Sequence, residues 1–244
     1  MVSGSGGKAD VGGFGLNYVC AGESSGNPTV VLEAGSGFPL KTWDKVWNEI
    51  SGITQVFAYD RAGLGLSDRG DKPRHSQQMV ENLHALLEKA NIASPYILVG
   101  HSFGGLNVRL FANNFPDQVV GLVLVDPSHE EQEVKWMPLL SPESRKMYQK
   151  LTAIEGTRED FLASLEQVSA SRKSYGEMPL TVLSAGRKDH NTEESHAMWI
   201  ALHQDLLTLS ANASHVIVEN SGHNIHREQP GAVADAIRNV LKMV

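Results

Sequence analysis

Tyr96-Ile97-Leu98-Val99-Gly100-His101-Ser102-Phe103-Gly104-Gly105-Leu106 decides the reading of this 244-residue chain. Residues 96–99 form a short apolar run, and Leu106, Leu110 and Phe111 follow at helical spacing, so the segment predicts a strand, a sharp turn and a helix. A turn that tight needs small residues on both sides of its apex. A side chain at Gly100 or Gly104 would meet neighbouring backbone while Ser102 is held in a strained conformation. The new helix would also aim its N-terminal amides at Ser102, where negative charge could develop. Ser102 is therefore the candidate nucleophile.

The pattern extends in both directions. Further β-rich apolar runs lie at 29–32, 56–59, 122–125, 180–183 and 216–218, most of them reading as fully buried strands. Helical patterns fall between them: Trp43, Val46, Trp47 and Ile50, then Val80, Leu83 and Leu87, and finally Val233, Ile237, Val240 and Leu241. This alternation predicts an α/β fold, a mostly parallel central sheet with helices on both faces. Residues 14–20 read as an antiparallel edge. Residues 128–178 break the rhythm, with charges, prolines and helix-like stretches but no convincing strand. They read as a helical cap inserted within a single domain spanning 11–244, preceded by a flexible N-terminus at 1–10.

Composition narrows the function classes. The chain carries 21 basic and 28 acidic residues, net −7, with no long run of one sign, so nothing points to nucleic acid or anionic lipid. An uncharged small-molecule substrate fits better. Cys20 is the only cysteine, which leaves no intrachain disulfide and no thiolate metal cage. The Gly/Ser-rich start does not read as a signal peptide or membrane anchor. Cytoplasmic is the default expectation, unless an upstream anchor or signal has been removed. Oligomeric state is not legible.

Four segments occur in an order that resembles the α/β-hydrolase superfamily: Leu32-Glu33-Ala34-Gly35-Ser36-Gly37, Tyr59-Asp60-Arg61-Ala62-Gly63-Leu64-Gly65-Leu66-Ser67, the turn at Ser102, and Ser221-Gly222-His223-Asn224-Ile225-His226 ahead of Pro230. A serine hydroxyl needs an imidazole to take its proton and return it to the leaving group. The resemblance implies that His223, in the late loop, is that base. His226 reads as a loop histidine bonded to backbone, and His101 as a packing residue or pocket liner. His223 and His226 lack the acid and the helical spacing of a zinc protease motif, so no metal is expected.

A carboxylate must orient the histidine. Asp189, after the penultimate strand, is favoured by the resemblance, and Asp126 in Val125-Asp126-Pro127 is the alternative. Their bland readings are a helix N-cap or solvated loop acid and a strand-end residue. The resemblance further implies an oxyanion hole formed by the amides of Phe103 and Ser36, with Gly35 or Gly37 as possible replacements for Ser36 because Ala34 stands where the family usually has His. Glu33, at a buried strand end, needs a partner, and Arg61 is the candidate.

The expected activity is cofactor-free hydrolysis of a carboxylic ester through an acyl-enzyme on Ser102. Lactone, amide, thioester or carbon–carbon hydrolysis, perhydrolysis, and a slow-turnover ligand sensor share the same framework.

Overall fold

The computed structural model describes residues 4–22, 26–189 and 192–244. Eight strands form one sheet in the order β1-β2-β4-β3-β5-β6-β7-β8. Strands β3 (Thr29–Glu33), β4 (Val56–Tyr59), β5 (Tyr96–His101), β6 (Val119–Val125), β7 (Leu180–Ala185) and β8 (Ala213–Val218) run parallel. The first two, β1 (Ser5–Asp10) and β2 (Gly15–Ala21), form an antiparallel hairpin docked on β4.

The parallel strands read as unbroken apolar runs because both faces are covered. Along β3 the side chains alternate: Val31 joins one core with Leu83 and Leu86 of α2 (Ser76–Lys89) and Leu106 and Phe111 of α3 (Gly104–Asn114). Val30 and Leu32 join the other, with Trp43, Val46 and Trp47 from around α1 (Asp44–Ile50) and Val233, Ile237 and Val240 of α9 (Pro230–Leu241). The site's strands thus sit between two rigid layers.

Two expectations at the sheet edges need correction. Residues 1–10 are not simply a flexible tail: Ser5–Asp10 pairs residue by residue with β2, while residues 1–3 of that segment lie outside the described residues. A backbone ladder needs no apolar side chains, so a Gly-rich strand leaves no periodic signal. Strand β8 is not fully buried either. It ends the sheet, and Val216 and Ile217 are 45% and 42% exposed.

Between β6 and β7 the structure places α4 (Gln132–Lys135), α5 (Pro142–Leu151) and α6 (Arg158–Ser171), as the helix-like stretches predicted. Ser141 caps α5 by accepting from the Ser144 amide, and Thr157 with Asp160 forms a capping box on α6. After β7 come α7 (Glu193–Asp205), β8, and the one-turn α8 (Ile225–Glu228). Among the described residues no helix is long and apolar enough to cross a membrane.

Candidate active site

Ser102 stands at the junction of β5 and α3 with φ +51°, in the left-handed region. Such a conformation costs a non-glycine residue on the order of 1–3 kcal/mol and persists only where its surroundings enforce it. Its amide donates to Val125 O (3.1 Å), and its carbonyl accepts from the amides of Gly105 (2.9 Å) and Ser128 (2.9 Å). The flanking glycines are sterically required. A Cβ on Gly104 would lie 2.5 and 2.6 Å from the carbonyl oxygens of Glu33 and Ala34, and one on Gly100 would lie 2.6 Å from Gly104 O.

His223, in the loop between β8 and α8, donates from Nδ1 to Asp126 Oδ2 at 2.6 Å, which leaves Nε2 as the unprotonated nitrogen of the neutral ring. Asp126 directly follows β6 and is itself fixed: its amide donates to Leu183 O (2.7 Å), and its Oδ1 accepts from the Ala185 amide (2.8 Å). Burial works to raise the Asp126 carboxyl, but His223, His203 and the Ala185 amide outweigh it and hold the pKa below the ordinary carboxylate value.

The acid favoured from the sequence, Asp189, is not the one the histidine holds. Its Oδ1 pairs with Arg187 Nε at 3.1 Å, on a loop four residues past the end of β7. It is not the cap of α7 either, since Thr192 fills that position. The alternative, Asp126, is the residue against His223.

Of the two neighbouring histidines, His226 differs from expectation and His101 is the packing residue expected. His226 is fully buried, packed on Trp43, and meets Thr42 Oγ1 through Nε2 at 2.7 Å rather than bonding to backbone. Burial lowers its pKa to about 3. His101 is also buried and donates from Nε2 to the carbonyl of His223 (3.0 Å), bracing that loop from beneath. Burial pushes its pKa well below the usual imidazole value, so it is neutral.

His203 of α7 supports the turn after β6. Its Nε2 donates to Pro127 O (2.9 Å), so Nδ1 accepts from Ser184 Oγ (2.6 Å), which in turn accepts from His215 Nε2 (2.7 Å). Sequence reading missed this chain. Nothing local marks it, because its members come from β7, α7 and β8.

The loop after β3 crosses directly over Ser102: a Cβ on Gly35 would fall 3.3 Å from Ser102 Cβ and 2.6 Å from His101 Nδ1. Residues 35–38 form a turn closed by Phe38 N to Gly35 O (3.2 Å), with Gly37 at φ +74°, the geometry of a type II turn. Gly37's amide is already committed to Glu155 Oε1 (2.6 Å). Arg61 holds the outer side of the same loop, donating to the carbonyls of Ala34 (2.6 Å) and Gly35 (2.6 Å).

The expected Glu33–Arg61 pair forms at 2.7 Å, and Asn107 also donates to Glu33 (2.8 Å). Glu155 is a second carboxylate partner of Arg61 that the sequence did not suggest. Burial opposes the Arg61 charge, but Glu155 and Glu33 outweigh it and raise its pKa.

Ser102, Phe103, Ser36, Asp126 and His223 line a common cavity of about 350 Å³. Its remaining wall comes mainly from the β6–β7 insertion, through Trp136, Leu140, Met147, Tyr148 and Phe161, joined by Trp199 of α7. Arg187 and Lys188 reach the cavity, but each is paired, Arg187 with Asp189 and Glu228 and Lys188 with Glu193. Elsewhere, His129, Glu131 and Asp205 bring potential ligand atoms within 4.8 Å of one another. Both ring nitrogens of His129 are already engaged: Nδ1 accepts from the Glu131 amide (3.0 Å) and Nε2 donates to Asp205 (3.0 Å). This leaves no lone pair for a metal without breaking the network.

Residues 30–215 match the family model for the alpha/beta hydrolase fold, and the chain belongs to that family. An uncharacterized protein of Bacillus subtilis strain 168, YqjL, is 33% identical over 218 residues, covering 89% of this chain and 85% of its own. Among solved structures, a candidate lipase from Acinetobacter baumannii AYE superposes with a TM-score of 0.74 at 20% identity, covering 98% of this chain and 91% of that one. The epoxide hydrolase CorEH superposes with a TM-score of 0.68 at 17% identity, covering 98% and 99%. At these identities the two structures are likenesses of fold.

Proposed function

We propose that this protein cleaves an uncharged carboxylic ester through an acyl-enzyme on Ser102, with His223 as general base and acid and Asp126 as the residue that orients His223. One observation carries the reading: a strained serine at the head of α3 shares a cavity with a histidine whose far nitrogen is held by a buried carboxylate at 2.6 Å. His223 Nε2 takes the hydroxyl proton as Ser102 Oγ bonds to the ester carbonyl carbon. The negative carbonyl oxygen is met by the amides of Phe103 and Ser36, the latter favoured over Gly37, whose amide is spent on Glu155.

Collapse of the tetrahedral species breaks the ester C–O bond, and His223 returns the proton to the departing alkoxide. Water then repeats the sequence on the acyl-enzyme, giving a carboxylic acid and restoring Ser102. The substrate class follows from the walls. The helices between β6 and β7, acting as a cap, supply aromatic and aliphatic surface, while the nearby cations already have carboxylate partners.

A fluorophosphonate probe and a panel of nitrophenyl esters of graded acyl length test this. Wild type should label at Ser102 and turn over, preferring neutral acyl groups to carboxylate-bearing ones, while Ser102→Ala should lose label and at least about 10³-fold in kcat. Undiminished labelling or turnover in Ser102→Ala would sink the proposal.

A further inference from the structure

Glu155 lies between α5 and α6, far in sequence from Ser102, His223, Asp126 and the loop at 35–38, yet its side chain is 3% exposed and its carboxylate reaches two features of the loop over Ser102. One oxygen accepts from the Gly37 amide, and both engage the Arg61 guanidinium. Arg61 in turn grips the carbonyls of Ala34 and Gly35. The direction of those bonds matters. In a planar trans peptide the carbonyl and the following N–H point to opposite sides, so fixing Gly35 O on Arg61 turns the Ser36 N–H away from the guanidinium. The Arg61 guanidinium also lies 5.9 Å from the centre of the Phe103 ring, so it borders the residue that supplies the other donor.

The clasp has a second strand. Ser36 Oγ donates to Leu151 O at the end of α5 (3.2 Å), so two separate bonds, from Ser36 and Gly37, tie the loop to the β6–β7 insertion. That insertion also supplies much of the cavity wall, through Trp136, Met147, Tyr148 and Phe161. The insertion that walls the cavity is thus bonded directly to the loop that carries the Gly35–Ser36 peptide. On the body side Arg61 is anchored by Glu33, which is fully buried and also held by Asn107.

We propose that Glu155 is a positioning residue: carried by the cap, it locks Arg61 and the turn at 35–38 so that the Ser36 amide faces the carbonyl oxygen only when the cap is seated. This rests on the ester-hydrolase reading above, since an amide poised for a tetrahedral oxyanion matters only in acyl transfer. Glu155 touches no reacting atom. Its effect belongs in the chemical step rather than in substrate affinity, because the donor it sets is used most fully in the transition state.

The test compares wild type, Glu155→Ala and Glu155→Gln, with rates expressed per Ser102 titrated by the fluorophosphonate so that misfolded protein does not count. The glutamine variant keeps an acceptor for the Gly37 amide but loses the negative charge that faces Arg61. The expected result for Glu155→Ala is a fall of about 10- to 100-fold in kcat and in the labelling rate constant, with KM within about threefold, as for a displaced rather than deleted donor. Glu155→Gln should fall between it and wild type. Hydrogen exchange should accelerate at the amides of residues 36–38 in Glu155→Ala, while amides of β5 stay protected.

A Glu155→Ala enzyme with wild-type kcat per titrated site, or with its loss confined to KM, would overturn the proposal while leaving the ester reading intact. A wild type that labels at Ser102 but hydrolyses no ester would overturn the ester reading alone, and the labelling rates and exchange would still decide whether Glu155 sets the loop.

Discussion

The ends of β6 and β7 each present an aspartate with positive φ, Asp126 at +43° and Asp189 at +47°, only one strand apart in the sheet. They differ in what holds them. Asp126 is the first residue past its strand, so the neighbouring strand's backbone fixes both its main chain and one carboxylate oxygen, and its side chain is 3% exposed. Asp189 sits on a loop, 36% exposed, and pairs with the nearest cation, Arg187. It still reaches the histidine loop, since a Cβ on Gly222 would fall 1.9 Å from its Oδ2, but it meets that loop's backbone and not the ring. A carboxylate set by a central strand is preorganised; one set by a loop must be shared with solvent and counterions.

The sharpest way to break this contrast is Asp126→Asn, which keeps the shape but removes the charge that stabilises protonated His223. It should cost about 10³- to 10⁴-fold in kcat with Ser102 still present and the fold intact by circular dichroism. A loss under tenfold would put the orienting acid elsewhere.

Next in size is the support beneath Asp126. His203→Leu removes the donor to Pro127 O and should lower unfolding free energy by about 1–3 kcal/mol at neutral pH, read by urea denaturation. Its pH signature is distinct. Burial lowers the His203 pKa from 6.5 to about 4, so between those values the unfolded chain binds a proton that the folded one refuses. That contribution to stability is fully present above pH 6.5 and is lost as pH falls towards 4, by up to about 1.4 kcal/mol per unit. The leucine variant should therefore show a shallower decline across that window; an unchanged slope would contradict the assignment.

The smallest effect belongs to Asp189→Asn, expected to alter kcat less than about threefold, since an exposed ion pair contributes little. A large loss there beside a mild one in Asp126→Asn would invert the comparison.

Much of the fold was legible because its signals are local. The run 96–99 with its glycine-flanked serine became β5, the turn and α3, and the apolar periodicities of 80–87 and 233–241 became α2 and α9. Strand β1 was missed because a Gly-rich edge strand is held chiefly by its backbone ladder, which leaves no apolar pattern. The exposure of β8 depended on its being last in the sheet, which strand composition does not reveal. Within the site, the Glu33–Arg61 pair could be anticipated from the cost of burying an unpaired charge, whereas Glu155 lies in a loop of the insertion with no pattern around it.

The sequence by itself determined the strand–turn–helix at Ser102, because glycines at 100 and 104 permit a backbone that other residues would block. It also placed His223 in the late loop beyond the last strand. Which carboxylate meets that histidine, what takes the Gly37 amide, and which residue of the β6–β7 insertion holds Arg61 were decided only by the tertiary structure. Each is a contact between segments distant in the chain, fixed by strand order and loop path, and a carboxylate or amide carries no mark in the sequence of the partner it will find.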